Sequence, residues 1–131
     1  MPDSIRSSLP NIFPCLIYDD SHAAIAWLEK AFGFEKHVVY SGPDGSVAHA
    51  ELKLGAGMVM LGSGKEGAGI VKSPQMIYVA VEDSDGLFRR AKAAGADVVR
   101  EPNDTDYGSR DFAVRDPEGN LWNFGTYLPG A

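Results

Sequence analysis

The sequence predicts an α+β protein built from two tandem βαβββ modules. Three observations predict it: the two halves resemble each other, strand and helix signals follow the same order in each, and a glycine-rich stretch separates them. Shifting the 131-residue chain by 63 positions lays Asp20-Ser21 on Asp83-Ser84, Gly45-Ser46 on Gly108-Ser109 and Ala50 on Ala113. The same shift lays the apolar run 58–62 on 121–125, and Ala31 on Ala94. A glycine follows each of these alanines closely, Gly33 and Gly95, one residue out of register. A single match means little; one offset kept across half a chain signals duplication.

Each element has a local reason. Residues 13–18 (F-P-C-L-I-Y) form a short apolar run, with Pro14 near its start where a missing N–H is tolerable. Asp20 or Ser21 can cap a helix that runs to about Phe32, with Ala24, Ile25, Leu28 and Phe32 at helical spacing and Gly33 as its stop. Residues 36–40 are valine-containing and strand-like, and Gly42-Pro43-Asp44-Gly45 is a turn by composition. Residues 47–54 alternate as a strand, Gly55-Ala56-Gly57 turns, and 58–61 is a further strand.

The second half repeats the order. Residues 76–81 read as a strand, Ser84 as the cap of a helix to about Ala94, and Gly95 as its end. Strands follow at 98–100, 110–115 and 121–126, the last two joined by Asp116-Pro117-Glu118-Gly119, whose proline and glycine fit a type I turn. The expected organisation is a single domain over 1–131: module one at 11–62, a linker at 63–74, and module two at 75–128.

Composition narrows the function classes. Hydrophobic residues make up 44 % and charged residues 23 %, as in a globular protein. The formal net charge of −6 argues against nucleic acid as a partner and suits a cationic ligand. The lone Cys15 has no partner for an internal disulfide, which points to a reducing compartment. Residues 1–12 contain Arg6 and no apolar core of a secretion signal, and no window reaches the length of a membrane span. A cytoplasmic protein without membrane contact is expected.

Gly62-Ser63-Gly64-Lys65-Glu66-Gly67 matches the letters of a dinucleotide fingerprint, but no helical period follows and Pro74 would break one, so it reads as linker. Of three histidines, His22 belongs to the first helical turn, and His37 lies on a strand that could face either way. His49 is the best candidate for an acid or base, because Glu51 shares its strand face. Cys15 has no base beside it in sequence and reads as a small filler.

One segment is more specific than the rest: Tyr107-Gly108-Ser109-Arg110-Asp111-Phe112, followed by the turn Asp116-Pro117-Glu118-Gly119-Asn120-Leu121. With the helix end Lys30-Ala31-Phe32-Gly33-Phe34, it resembles the vicinal oxygen chelate superfamily: glyoxalase I, extradiol dioxygenases, fosfomycin-resistance enzymes and bleomycin-resistance proteins. It looks most like the bleomycin-resistance branch, and the resemblance covers about residues 11–128. It implies two βαβββ modules in a curved mixed sheet around a cavity, commonly in a homodimer. In that superfamily the N-terminal strand is sometimes exchanged between subunits, and Pro10 and Pro14, which bracket that strand here, could favour exchange without deciding it.

The resemblance also places metal ligands on the first and last strand of each module, here Phe13, Met60, Met76 and Asn123. A ring, two thioethers and an amide are poor donors for Zn, Ni, Fe or Mn, and a thioether suits only soft copper. A one-residue slip would bring Gln75 to the third position and leave the other three unchanged; His49 and Glu51 are two donors lacking a third. No metal and no cofactor are therefore expected. In bleomycin-resistance relatives an aromatic at the position of Tyr107 stacks on flat drug rings, and Arg110 could meet an anion or pair with a carboxylate. The expected ligand-binding set is Phe13, Cys15, Met60, Met76, Tyr78, Tyr107, Arg110 and Asn123, with Trp122 and Phe124 alternating away into the core.

These readings converge on a metal-independent small-molecule-binding protein that sequesters a cationic or flat aromatic compound such as an antibiotic. Two alternatives stand beside it: a metal-free lyase or isomerase using His49 and Glu51, and a divergent glyoxalase-like metalloenzyme.

Overall fold

The computed structural model describes residues 9–64 and 71–131. Its elements run β1 (Cys15–Tyr18), α1 (Ser21–Phe32), β2 (Glu35–Ser41), β3 (Val47–Leu54) and β4 (Gly57–Ser63). The second set is β5 (Met76–Ala80), α2 (Ser84–Ala93), β6 (Asp97–Asp104), β7 (Arg110–Arg115) and β8 (Leu121–Gly125). They form two four-stranded mixed sheets, ordered β1-β4-β3-β2 and β5-β8-β7-β6. In each, the first and last strands of the module pair in parallel and the other pairs are antiparallel. This is the duplicated βαβββ architecture expected from the sequence.

The strands differ from expectation mainly at their ends. β1 starts at Cys15 rather than Phe13, although the Pro14 carbonyl still accepts from the Met60 N–H at 2.9 Å. β6 extends to Asp104 and includes Pro102, beyond the short segment expected, with its register broken between Arg100 and Asn103. Such a break is where a strand accommodates a proline. Of the glycine-rich stretch, Gly62 and Ser63 belong to β4, and residues 65–67 lie outside the described residues.

Both helices are capped by aspartate: Asp20 accepts from the Ala23 N–H at 3.1 Å and Asp83 from the Gly86 N–H at 2.9 Å. The cap expected at Ser84 is thus corrected by one residue. Ser84 is the first helical residue, and its hydroxyl donates instead to the Arg110 carbonyl at 2.6 Å. An aspartate one residue earlier sits where its carboxylate reaches the orphan N–H groups. Gly33 and Gly95, at φ 85° and 89°, end the helices in the left-handed region that glycine alone enters without strain.

The chain divides into two compact units, residues 1–29 with 33–72, and residues 30–32 with 73–131. In the first, Leu16, Tyr18, Val47, Ala50, Leu52, Val59 and Leu61 are buried on one face of the sheet. In the second, Phe112, Val114, Trp122 and Phe124 are buried, as alternation placed the last two. Phe32 closes on them, its ring centroid 5.2 Å from Trp122 and 4.7 Å from Phe124.

The register shows where the duplication is kept and where it slips. Cys15 pairs with Met60, and Tyr78 pairs with Asn123, so the offset of 63 holds across β1/β4 and β5/β8. In β3 the pairing skips Ala48: Tyr40 faces His49 but Ser41 faces Val47. The second unit has no such residue, Asn103 facing Asp111 and Asp104 facing Arg110. Ala48 is a bulge, and it explains how Val47 and Ala50, three apart, are both buried. Beyond it the offset is 62, so His49 corresponds to Asp111 and Ala50 to Phe112, which corrects the match of Ala50 with Ala113. The wider turn at 116–120 restores the offset of 63.

Candidate functional site

The unburied face of the first sheet carries two rows of side chains. Register places Cys15, Met60, Glu51 and Val38 side by side across the four strands. One step along, Ile17 stands beside Gly62 and Tyr40 beside His49. A cavity of about 460 Å³ opens over this face, lined by Cys15, Ile17, Ala48, His49, Met60 and Gly62, with Ser63 and Gly64 at its edge. Gly62 is required where it stands: a Cβ there would lie 2.9 Å from the carbonyl oxygen of Ala48, which the bulge brings inward. The bulge and the glycine together shape the cavity wall.

His49, on this wall, bonds the neighbouring Glu51, Nε2 to Oε2 at 2.8 Å. Tyr40 lies nearly parallel to the imidazole, centroids 6.2 Å apart at 19°, with 60 % of its own surface exposed. The carboxylate orients the ring and offsets a positive charge on it, which is the arrangement an acid–base histidine needs. His22 is exposed at the start of α1 and bonds the Gly45 carbonyl at 2.9 Å, and His37 is exposed on β2. Cys15 is exposed into the cavity.

The second unit presents the corresponding face, with Tyr78, Asn123, Ala113 and Arg100 in one row and Asn103 beside Asp111 in the next. Here the side chains engage one another. Asp111, buried, accepts from the Ser109 hydroxyl through Oδ1 and from the Tyr107 hydroxyl through Oδ2 at 3.3 Å. Tyr78 donates its hydroxyl to the Tyr127 carbonyl at 2.5 Å, and the Tyr127 N–H donates to the Ser109 hydroxyl at 3.0 Å. Desolvation of the Tyr78 phenol raises its pKa; the nearby Asp111, Tyr107 and Tyr127 add to the rise and the Ser109 hydrogen bond opposes it.

The expected ligand-binding residues are divided between the two units. Cys15 and Met60 join His49 at the cavity, while Phe13 is half-buried just before β1. Met76 is 74 % exposed, and Tyr78 and Asn123 share the open face of the second sheet. Tyr107 projects from the turn before β7, edge-on to Tyr127 at 5.7 Å. Arg110 lies on the opposite face from Asn123, paired with Asp85 at 3.2 Å and Asp104 at 3.4 Å. Of the two roles open to Arg110, the structure shows the pairing with carboxylates.

Sequence reasoning missed the Asp111 cluster. The signal was the repeat itself: once the bulge is allowed for, Asp111 occupies the place of His49. It also missed Asp116, whose buried carboxylate gathers the last hairpin.

A family model for the glyoxalase/bleomycin resistance protein/dioxygenase superfamily matches residues 11–124. The chain belongs to that superfamily. An uncharacterized protein of Mycobacterium bovis is 34 % identical over 125 residues, spanning 88 % of this chain and 82 % of the relative. The crystal structure of TioX from Micromonospora sp. ML1 is similar with a TM-score of 0.80 and 34 % identity, over 91 % of this chain and 99 % of that one. A family enzyme from Burkholderia phytofirmans PsJN shares the fold, with a TM-score of 0.66 and 21 % identity over 88 % and 97 % of the two chains.

Superfamily members that use a metal set the question of fit. Met60 sits at the cavity, Met76 is largely exposed, Phe13 offers a ring and Asn123 a neutral amide. That donor chemistry does not fit a hard or borderline divalent ion. Among the described residues no three of His, Cys, Asp and Glu gather closely enough to hold one.

Proposed function

We propose that this superfamily member is a metal-independent small-molecule-binding protein that sequesters a cationic or flat aromatic compound such as an antibiotic. The observation that carries the reading is the cavity of about 460 Å³, within the size range of small-molecule sites and lined by apolar groups with a few polar ones. The Glu51 carboxylate beside it, 28 % exposed, and the half-open Tyr40–His49 stack suit a planar cation. The formal net charge of −6 would draw such a ligand in. The similarity to TioX supports a common role for the two chains. Among the described residues no helix is long and apolar enough to cross a membrane. A cytoplasmic homodimer belongs to the same proposal, on the habit of the family.

Isothermal calorimetry with planar cations of the acridine type tests this. One site per chain is expected, weakened several-fold by Glu51→Gln and by Tyr40→Ala. Absence of heat from every planar or cationic compound tried would overturn the proposal.

A second reading is favoured by one contact, the 2.8 Å His49–Glu51 bond at the cavity wall. It is a metal-free lyase or isomerase, with His49 moving a proton on a bound substrate and Glu51 holding the ring. Exchange of solvent deuterium into an α-hydroxy ketone, abolished by His49→Gln, would support it; no exchange by the native protein would end it. The glyoxalase-like metalloenzyme is the least supported reading, given the donor set, and elemental analysis decides it.

A further inference from the structure

We infer that Tyr107 and Tyr127, backed by the buried Asp111, form a binding site for a quaternary ammonium group. Tyr107 is 66 % and Tyr127 50 % exposed, yet both are held in place. The Tyr107 hydroxyl donates to Asp111 Oδ2 at 3.3 Å. The Tyr127 backbone is fastened on both sides: its N–H donates to the Ser109 hydroxyl at 3.0 Å, and its carbonyl accepts from the Tyr78 hydroxyl at 2.5 Å. The two rings meet at 80° with centroids 5.7 Å apart, so their faces make two walls of a corner. Asp111 Oδ1 and the Tyr78 hydroxyl crowd over Gly125, where a Cβ would strike the first and lie 2.6 Å from the second.

Charge selects the ligand. Asp111 is 6 % exposed and accepts from the Ser109 and Tyr107 hydroxyls, but among the described residues no Lys, Arg or His nitrogen pairs with it. A buried carboxylate ordinarily has a cation beside it. The segment 104–111 adds Asp104 and Asp106 against Arg110 alone, and Arg110 is already paired with Asp85 and Asp104. Each oxygen of Asp111 already holds a hydroxyl, which favours a cation that acts through the rings without a hydrogen bond. A quaternary ammonium group is such a cation, drawn to aromatic faces within about 6 Å. The hydrogen bond from Tyr107 to a carboxylate leaves its ring richer in electrons, which strengthens the attraction. All of these residues belong to the second unit and none lines the cavity of the first, so the inference does not rest on the proposal above.

The test is titration of the full chain with choline, read by calorimetry and by NMR of the tyrosine ring protons, beside the uncharged isostere 3,3-dimethyl-1-butanol. One choline per chain is expected, with a dissociation constant on the order of 1 mM and the isostere at least about fivefold weaker. Tyr107→Leu and Tyr127→Leu, the latter keeping its backbone bonds, should each weaken choline about threefold or more, and Asp111→Asn by a similar factor. Tyr107→Phe, which keeps the ring, should cost less than Tyr107→Leu, and Tyr40→Ala in the first unit should cost nothing. Circular dichroism checks that each variant folds, and the isostere comparison uses the native chain alone. Absence of choline binding, or equal binding of the isostere, would overturn the inference. So would affinity lost in Tyr40→Ala and kept in Tyr107→Leu, which would assign the cation to the first unit. Acridine binding reads the first unit through Glu51 and Tyr40, so failure here leaves that proposal to its own calorimetry.

Discussion

Replacing Asp116 by alanine should be the most damaging single change to the second unit that leaves its apolar core intact. Asp116 is 4 % exposed and accepts four hydrogen bonds. Oδ1 takes the Glu118 and Asn120 N–H groups at 3.0 and 3.1 Å; Oδ2 takes Asn120 Nδ2 at 3.1 Å and the Trp122 indole N–H at 3.0 Å. Asn120 in turn accepts from the Gln75 N–H at 2.9 Å, which ties the hairpin to the start of β5. Truncation strips the charged acceptor from a fully buried indole and from the turn that joins β7 to β8. One charge-assisted bond is worth about 1.5–3 kcal/mol, and a deprived buried donor costs about 1–3 kcal/mol. The N–H of Glu118, which is part-buried, regains water, so the net loss should be about 3–5 kcal/mol rather than the full sum. That is a large share of a domain's usual stability of about 5–15 kcal/mol. Urea denaturation of the native chain, Asp116→Ala, Trp122→Phe and the double variant measures it. A coupling of about 1–2 kcal/mol between the two positions is expected. A loss below about 1 kcal/mol for Asp116→Ala, or simple additivity, would refute the reasoning.

Other perturbations have smaller or more specific effects. Gly62→Ala places a Cβ 2.9 Å from the Ala48 oxygen, so the bulge or β4 must shift. About 1–3 kcal/mol should be lost in a denaturant melt, together with altered ligand affinity. Tyr78 has its pKa raised in the fold, so its stabilising contribution is complete below the unfolded value and drains away as pH climbs through the folded one. Melting temperature should therefore fall above about pH 10, and less steeply in Tyr78→Phe; parallel curves would remove Tyr78 from the account. Arg110→Ala should cost about 1 kcal/mol or less, and less still in high salt, because its partners Asp85 and Asp104 are 48 % and 82 % exposed.

Much of the fold was legible because it rests on local signals. The boundaries of β3 and β7 match expectation at both ends, and Trp122 and Phe124 fall in the core because strand alternation is a local property. The cap at Asp83 was missed by one residue because aspartate and serine are equally good caps, and only backbone direction chooses between them. The bulge at Ala48 left no mark in composition, so the match of Ala50 with Ala113 looked sound. At the site, the meeting of His49 and Glu51 was legible from a spacing of two on one strand. That Cys15 lines one cavity with Met60 and His49 was not, because β1 lies far in sequence from the β3–β4 hairpin that supplies the other two. Arg110 was ambiguous for a related reason: its partners come from α2 and β6.

By itself the sequence determined the order of elements and the duplication, since these depend on residue type, periodicity and spacing; the metal positions came from the resemblance to the superfamily, and the sequence supplied only the residue types that stand there. Tertiary structure alone decided register: which side chains stand beside one another, where one extra residue shifts the repeat, and which face each pair serves. Register comes from hydrogen bonds between distant strands, and a one-residue slip there moves every later side chain to the other face.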